Sequence, residues 1–348
     1  MQISEDHLIV DRVRSFPSSC VYKSQGSPGA YSTAANVHDG QRKLMVSEIE
    51  FFTQVHVSRL EARGEAERTA APPRAVLLPR LLCVYAGACP CLYLDHLMEM
   101  FPCVSWVLID PEFGTPRHKD RLTHWDPARV SVYAELCTDD VAVAISDWVH
   151  GKHRKHPIHA KLHALRSQTD VHCDDLVFIS DIRSNACDEH SIACDMDDQS
   201  RWFRLMGASA ALLKFRLPFC PPGGGRCEQR YESRVYLDGL LYLPVWGCPS
   251  TTECRLYVTK GCASKVYCPR SHERRMAGFE SSDRPKHYRV GRHTFTSWDT
   301  AAEWLVLRAH RMCMARYGHI VQGICICRMG VSNHIANRVV EQMMSIME

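Results

Sequence analysis

Apolar runs of strand length recur along the chain at Leu81–Ala86, Val104–Ile109, Val130–Tyr133, Leu176–Ser180 and Ala210–Phe215, each separated from the next by a helix-length segment. That rhythm predicts βαβ units and a mostly parallel central sheet with helices on both faces, an α/β fold. Ahead of it, Met45, Ile49 and Phe52 recur at helical spacing and Ile49–Val57 adds apolar bulk, so a helix is predicted from about Gln41 to Leu60 with Asp39 as its N-cap. Arg59–Arg74, charged and rich in Ala and Pro, reads as a loop. Past Pro218 the character changes. Pro221-Pro222-Gly223-Gly224-Gly225 is a loop, and the runs Val235–Leu243 and Arg255–Val258 extend the sheet with antiparallel strands at its edge. Near the end, Ser332 caps a predicted helix whose Ile335, Val339, Met343 and Ile346 share one face. The polar, turn-rich stretch 1–40 reads as an arm, and 41–348 as one domain.

Composition narrows the class. At 348 residues, 45 % apolar and 23 % charged, the chain is neither disordered nor collagen-like nor a coiled coil. Forty-two basic against 39 acidic residues leave a formal +3, so any nucleic-acid site has to be local. Eighteen cysteines include no Cys-x-x-Cys pair, and the first residues carry Asp, Glu and Arg in place of an apolar signal core. Free thiols in a reducing, intracellular compartment are expected. The uncharged, largely apolar stretches Leu81–Leu94 and Gly239–Thr252 are too short to span a membrane.

Candidate chemistry gathers at strand ends. Tyr85-Ala86-Gly87, Ile109-Asp110 and Ser180-Asp181 each close an apolar run, and the carboxyl ends of strands line the ligand crevice of a doubly wound sheet. Asp110 and Asp181 could equally cap the turns that follow them. The unit from Val84 to Cys91, a helix-like stretch and Val107-Leu108-Ile109-Asp110 suits a nucleoside, but it lacks both the dinucleotide fingerprint and a Walker lysine. A ligand without pyrophosphate, such as S-adenosylmethionine, fits better. Lys214 lies inside an apolar strand, where a lysine is costly unless paired; an edge-strand lysine reaching water is the alternative. The basic run from Lys152 to Arg166 could meet RNA phosphates, but a solvated loop is the favoured reading. No metal is expected, because Pro157 breaks the spacing of His153, His156 and His159, and Cys89 with Cys91 and Cys325 with Cys327 lack a second half-site.

Together these pieces resemble a known family. Gln41-Arg42-Lys43-Leu44 with Glu50-Phe51-Phe52, Val84-Tyr85 with Gly87 and Pro90, Leu108-Ile109-Asp110, Ile179 to Ser184, Lys214 to Phe219 and Pro249 to Leu256 occur in the order found in the poxviral cap-specific mRNA nucleoside 2'-O-methyltransferases, which double as the regulatory subunit of viral poly(A) polymerase. The resemblance runs from about Gln41 to Met276. It implies a Rossmann-like, S-adenosylmethionine-dependent fold and a catalytic tetrad of Lys43, Asp181, Lys214 and Glu253, with Lys214 as the base. It further implies cofactor contacts from Gln41, Tyr85, Gly87, Asp110 and Asp181. Cap and RNA contacts would come from Tyr22, Arg183, Arg216, Phe219 and Glu273, the cationic guanine stacking between Tyr22 and Phe219. Capped mRNA and a poly(A) polymerase catalytic subunit would be the partners, in host cytoplasm or the virion, or in the nucleus for a cellular relative. Departures stand beside the matches. Cys91 replaces a family glycine, Glu112 replaces an arginine, and Cys220-Pro221 stand where a guanine-reading acid is expected. A non-catalytic RNA-binding or polyadenylation subunit that keeps the fold is the alternative reading.

Overall fold

The computed structural model describes residues 34–67, 80–119, 124–152, 155–166, 176–184, 188–217, 233–247, 252–290 and 293–316. Its internal contacts divide the chain into two compact units: residues 1–77, 243–251 and 274–348 form the first, and residues 78–242 and 252–273 the second.

The second unit carries the sheet. Its elements are β1 (Leu81–Ala86), α2 (Leu94–Met100), β2 (Val104–Ile109), β3 (Val130–Tyr133), α3 (Asp139–Val149), α4 (Pro157–Arg166), β4 (Leu176–Ser180), α5 (Glu189–Met206), β5 (Ala210–Phe215), β6 (Arg234–Leu237), β7 (Leu240–Tyr242), β8 (Cys254–Thr259) and β9 (Ser264–Tyr267). Seven strands pair in the order β3-β2-β1-β4-β5-β8-β7. The first five are parallel to one another, while β8 runs antiparallel to both β5 and β7. Every residue of β1, β2 and β4 is buried, which explains why these strands read as continuous apolar runs without alternation. Each fully buried Val, Leu, Ile or Phe there contributes about 1.5–3 kcal/mol relative to exposure. The chain steps outward from β1 through β2 to β3, then returns to β4 on the other side of β1. In doubly wound sheets the ligand crevice lies at such a reversal, here the carboxyl ends of β1 and β4.

Local chemistry sets the helix ends. Asp188 caps α5 by accepting from His190 N and Ser191 N, and Gly207 at φ +67° closes it. Thr138 caps α3 through Val141 N. Pro157 opens α4 as its first residue, where its missing N–H costs nothing, so the second half of the basic run is a helix and not a loop. The expected single strand 235–243 is broken: β6 pairs with β9 in a separate two-stranded sheet, and β7 pairs with β8. Gly239 sits at the break, where a Cβ would lie 2.2 Å from the Tyr257 carbonyl oxygen.

The first unit contains α1 (Ala34–Glu67), β10 (Tyr288–Val290), β11 (His293–Phe295) and α7 (Trp298–Arg316). Helix α6 (Pro269–Gly278) spans the boundary between the units in sequence. Helix α1 is longer than expected at both ends. Asp39 lies inside it and not at its cap, and the Ala-, Glu- and Arg-rich segment 59–67 continues the helix, as its propensity favours, in place of the expected loop. Residues 1–33 of the expected arm and the helix expected after Ser332 lie outside the described residues. Among the described residues, no helix is long and apolar enough to cross a membrane.

Candidate functional site

Sheet register assembles the site in the second unit. The parallel ladder between β4 and β5 ends with Ser180 opposite Leu213, so the next positions along the two chains are Asp181 and Lys214. Across the antiparallel ladder, Lys214 lies directly opposite Arg255. Opposed residues share a face of the sheet, and two cations so placed repel unless anions lie between them. Asp181 and Glu253 supply those anions. Lys214 Nζ is 2.8 Å from Asp181 Oδ1 and 3.7 Å from Glu253 Oε2. Arg255 Nη2 is 2.7 Å from Asp181 Oδ1 and 3.7 Å from Glu253 Oε1. The four side chains retain between 6 % and 18 % of their exposure, so the cluster is mostly desolvated while still open at one side.

Electrostatics follow from that packing. Burial by itself would raise the Asp181 carboxyl, but Arg255 and then Lys214 outweigh it and hold the group below the usual carboxylate range. Burial would likewise lower Arg255, yet Asp181 and Glu253 keep it above its ordinary value. Arg183 adds a third cation, 3.6 Å from Glu253 and 3.7 Å from Asp195. Arg216 pairs with Glu189 at the start of α5. Glu253 is carried by a short approach to β8 that is pinned from behind: His272 Nε2 donates to the Thr252 carbonyl at 2.9 Å, and its ring packs edge-on to Phe215.

A second group of predicted residues lies at the ends of β1 and β2. Gly87 turns the chain with φ +74°, and a Cβ there would lie 2.8 Å from Asp181 C and Ile182 N, so only glycine lets the turn touch the segment leaving β4. Asp181 N donates to Ala86 O and Gly87 N to Ile109 O, each at 2.9 Å, locking the three strand ends together. Asp110 does cap its own turn, accepting from Glu112 N at 2.9 Å, and its other oxygen accepts from Cys89 N at 3.0 Å in the turn after β1. Each carboxylate oxygen keeps a further lone pair for a ligand. Tyr85 is buried, with its hydroxyl 3.3 Å from that of Tyr93. Cys91 is buried at φ +41°.

The predicted residues therefore fall into separate places. Asp181, Lys214, Glu253 and Arg183 form one cluster, and Tyr85, Gly87 and Asp110 lie at the adjoining strand ends. Gln41 and Lys43 belong to α1 of the first unit, where Gln41 is buried and Lys43 half-buried. Glu273 is buried on α6. Tyr22 and Phe219 lie outside the described residues. Sequence reasoning missed Arg255 as a site residue, although it follows Glu253 by two positions, the spacing that puts residues of an extended segment on one face. No protein-family model matches the chain, and no curated protein matches it.

Proposed function

We propose that the chain is an S-adenosylmethionine-dependent RNA 2'-O-methyltransferase acting on the first transcribed nucleotide of capped mRNA. The observation that carries this reading is Lys214 between two carboxylates at strand ends that adjoin the Gly87 turn and Asp110. Compatibility of the seven-stranded, mostly parallel sheet with a Rossmann-like fold supports it. The donor set suits the cofactor. Asp110 would accept the ribose hydroxyls, and Gly87 with Asp181 would approach the nucleoside through backbone groups, with Tyr85 supporting the turn from beneath. When bound, S-adenosylmethionine supplies a sulfonium methyl group.

The remaining chemistry belongs to this chain. In its neutral form Lys214 Nζ would take the proton of the ribose 2'-hydroxyl as the oxygen attacks, becoming the ammonium that Asp181 and Glu253 hold in place. Arg255 would anchor Asp181 so that its charge is shared and not spent on Lys214 alone. Arg183 and Arg216 would meet RNA phosphates by exchanging their present carboxylate partners. Methyl transfer to capped RNA by Lys214→Ala is the test: a fall of about 10²–10⁴-fold is expected, and retained activity would remove Lys214 from its role.

A second reading is favoured by Cys91, a non-glycine residue at positive φ in the very turn that would hold the cofactor. It makes the chain a non-catalytic RNA-binding or polyadenylation subunit. Calorimetric titration with S-adenosylmethionine separates the two, since no binding to the wild-type chain would favour this reading.

A further inference from the structure

Helix α5 presents two buried polar side chains one helical turn apart, and each grips a strand end that carries part of the site. Asp195 accepts from Ser184 N at 3.0 Å and from Ser184 Oγ, holding the segment that leaves β4 three residues beyond Asp181. Gln199, 1 % exposed, donates one amide hydrogen to the main-chain carbonyl of Lys214 and the other to Tyr236 Oη at 3.2 Å. The Tyr236 hydroxyl donates in turn to Met196 O at 2.8 Å on the same helix. Positions four apart lie on one helix face, so a single rigid surface holds both segments.

Donor accounting fixes the amide's direction. The Lys214 carbonyl can only accept, so the NH₂ end of Gln199 must face it. Its oxygen is left with no hydrogen-bond partner among the described residues. A buried, unpaired amide oxygen is costly, and a methionine of similar length would fill the space without that cost. Packing alone therefore does not explain the glutamine.

We infer that Asp195 and Gln199 are positioning residues that set the distance between the Asp181 carboxylate and the Lys214 amine through one face of α5. The inference rests on the methyl-transfer reading of the site. A misplacement of an ångström at a reacting group is enough to cost orders of magnitude in rate.

The test uses the whole chain with Gln199→Met, which keeps length and removes both donors. The expected result is a fall in kcat of about tenfold with KM for cofactor and RNA unchanged. The pH profile of Lys214 acetylation by acetic anhydride, followed by mass spectrometry, should shift while other lysines keep theirs. Gln199→Glu retains a donor to the Lys214 carbonyl only when protonated, so its activity relative to wild type should recover as pH falls. Wild-type kcat and wild-type Lys214 labelling in Gln199→Met would overturn the inference. So would a loss of kcat and of thermal stability together with Lys214 labelling unmoved, which is what a purely structural residue gives. If Gln199→Met does not fold, Tyr236→Phe loosens the same glutamine by one hydroxyl and is read in the same way, an unmoved Lys214 profile again overturning the inference. Should the wild-type chain transfer no methyl group, the methyl-transfer reading fails, and the labelling profile still decides whether Gln199 positions Lys214.

Discussion

Each unit of the chain holds a buried charge cluster, and the two are finished differently. In the first unit Arg42 meets Glu303 at 2.7 and 3.3 Å, Trp246 Nε1 donates to the same carboxylate at 2.9 Å, and the Trp246 ring lies 4.6 Å beneath the guanidinium. Arg284 is gripped by Asp299 at 3.0 Å, by Glu280 at 2.6 Å and by the Pro244 carbonyl. In the second unit Asp181 is held as closely, by Arg255 at 2.7 Å and Lys214 at 2.8 Å, while the ion pairs of Glu253 with Arg183, Lys214 and Arg255 span 3.6 to 3.7 Å. Arg183 Nη2 and Arg255 Nη1 are buried there with no hydrogen-bond partner among the described residues. Buried donors are nearly always satisfied, so an exception asks for a reason. The first cluster spends its valences on itself and fixes structure. The second keeps donor capacity at Arg183 and Arg255, which the proposed function would draw on.

That contrast breaks or holds on stability. Glu303→Ala leaves Arg42 buried without its carboxylate and should cost about 3–5 kcal/mol in chemical denaturation. Lys214→Ala should cost less than half as much, because Asp181 keeps Arg255 at 2.7 Å. Equal losses would show that the two clusters do not differ in kind.

Acid sharpens the comparison further. His56 on α1 is fully buried, and burial, then Arg59 and His310, push its imidazole down to about 3. The unfolded chain takes up this proton below pH 6.5 while the folded chain does not, so the contribution is complete above pH 6.5 and is lost as pH falls toward 3. The slope is about 1.4 kcal/mol per pH unit, or about 2 kcal/mol between pH 6.5 and 5. Asp181 behaves otherwise: its depressed carboxyl contributes stability above the ordinary value of 3.8 that is lost only below it. His56→Leu should therefore flatten the stability profile between pH 7 and 5, measured by urea unfolding at each pH, whereas a variant at Asp181 should not. An unchanged profile in His56→Leu would mean that other groups set the acid response.

Much of this was legible in the sequence where one physical signal dominated. Doubly buried strands such as Leu81–Ala86 and Val104–Ile109 advertise themselves as apolar runs, and Lys214 stood out because a charge inside such a run needs partners. The site's remaining parts depend on pairing between distant strands. That Arg255 faces Lys214 is a consequence of β5–β8 register, which no local pattern encodes. Gln199 and Asp195 read as ordinary polar positions on an amphipathic helix until the strand ends beneath them are known. The break at Gly239 was hidden because the residues on either side are both strand-like, and only the approach of the Tyr257 carbonyl reveals why glycine is there.

Cys91 brings the comparison to its smallest scale. At φ +41° it occupies a region that L-residues enter at a cost of about 1–2 kcal/mol, yet its side chain is buried and gains from that burial. The two effects oppose each other, so Cys91→Gly should leave global stability within about 1 kcal/mol of wild type. Binding is the more informative measurement. If the turn holds the cofactor as proposed, the glycine variant should bind S-adenosylmethionine at least as tightly as wild type in calorimetry, because it removes strain without removing a ligand contact. Binding that appears only in Cys91→Gly would mean that the thiol closes the turn to the cofactor, and it would transfer support from the enzyme to the non-catalytic subunit.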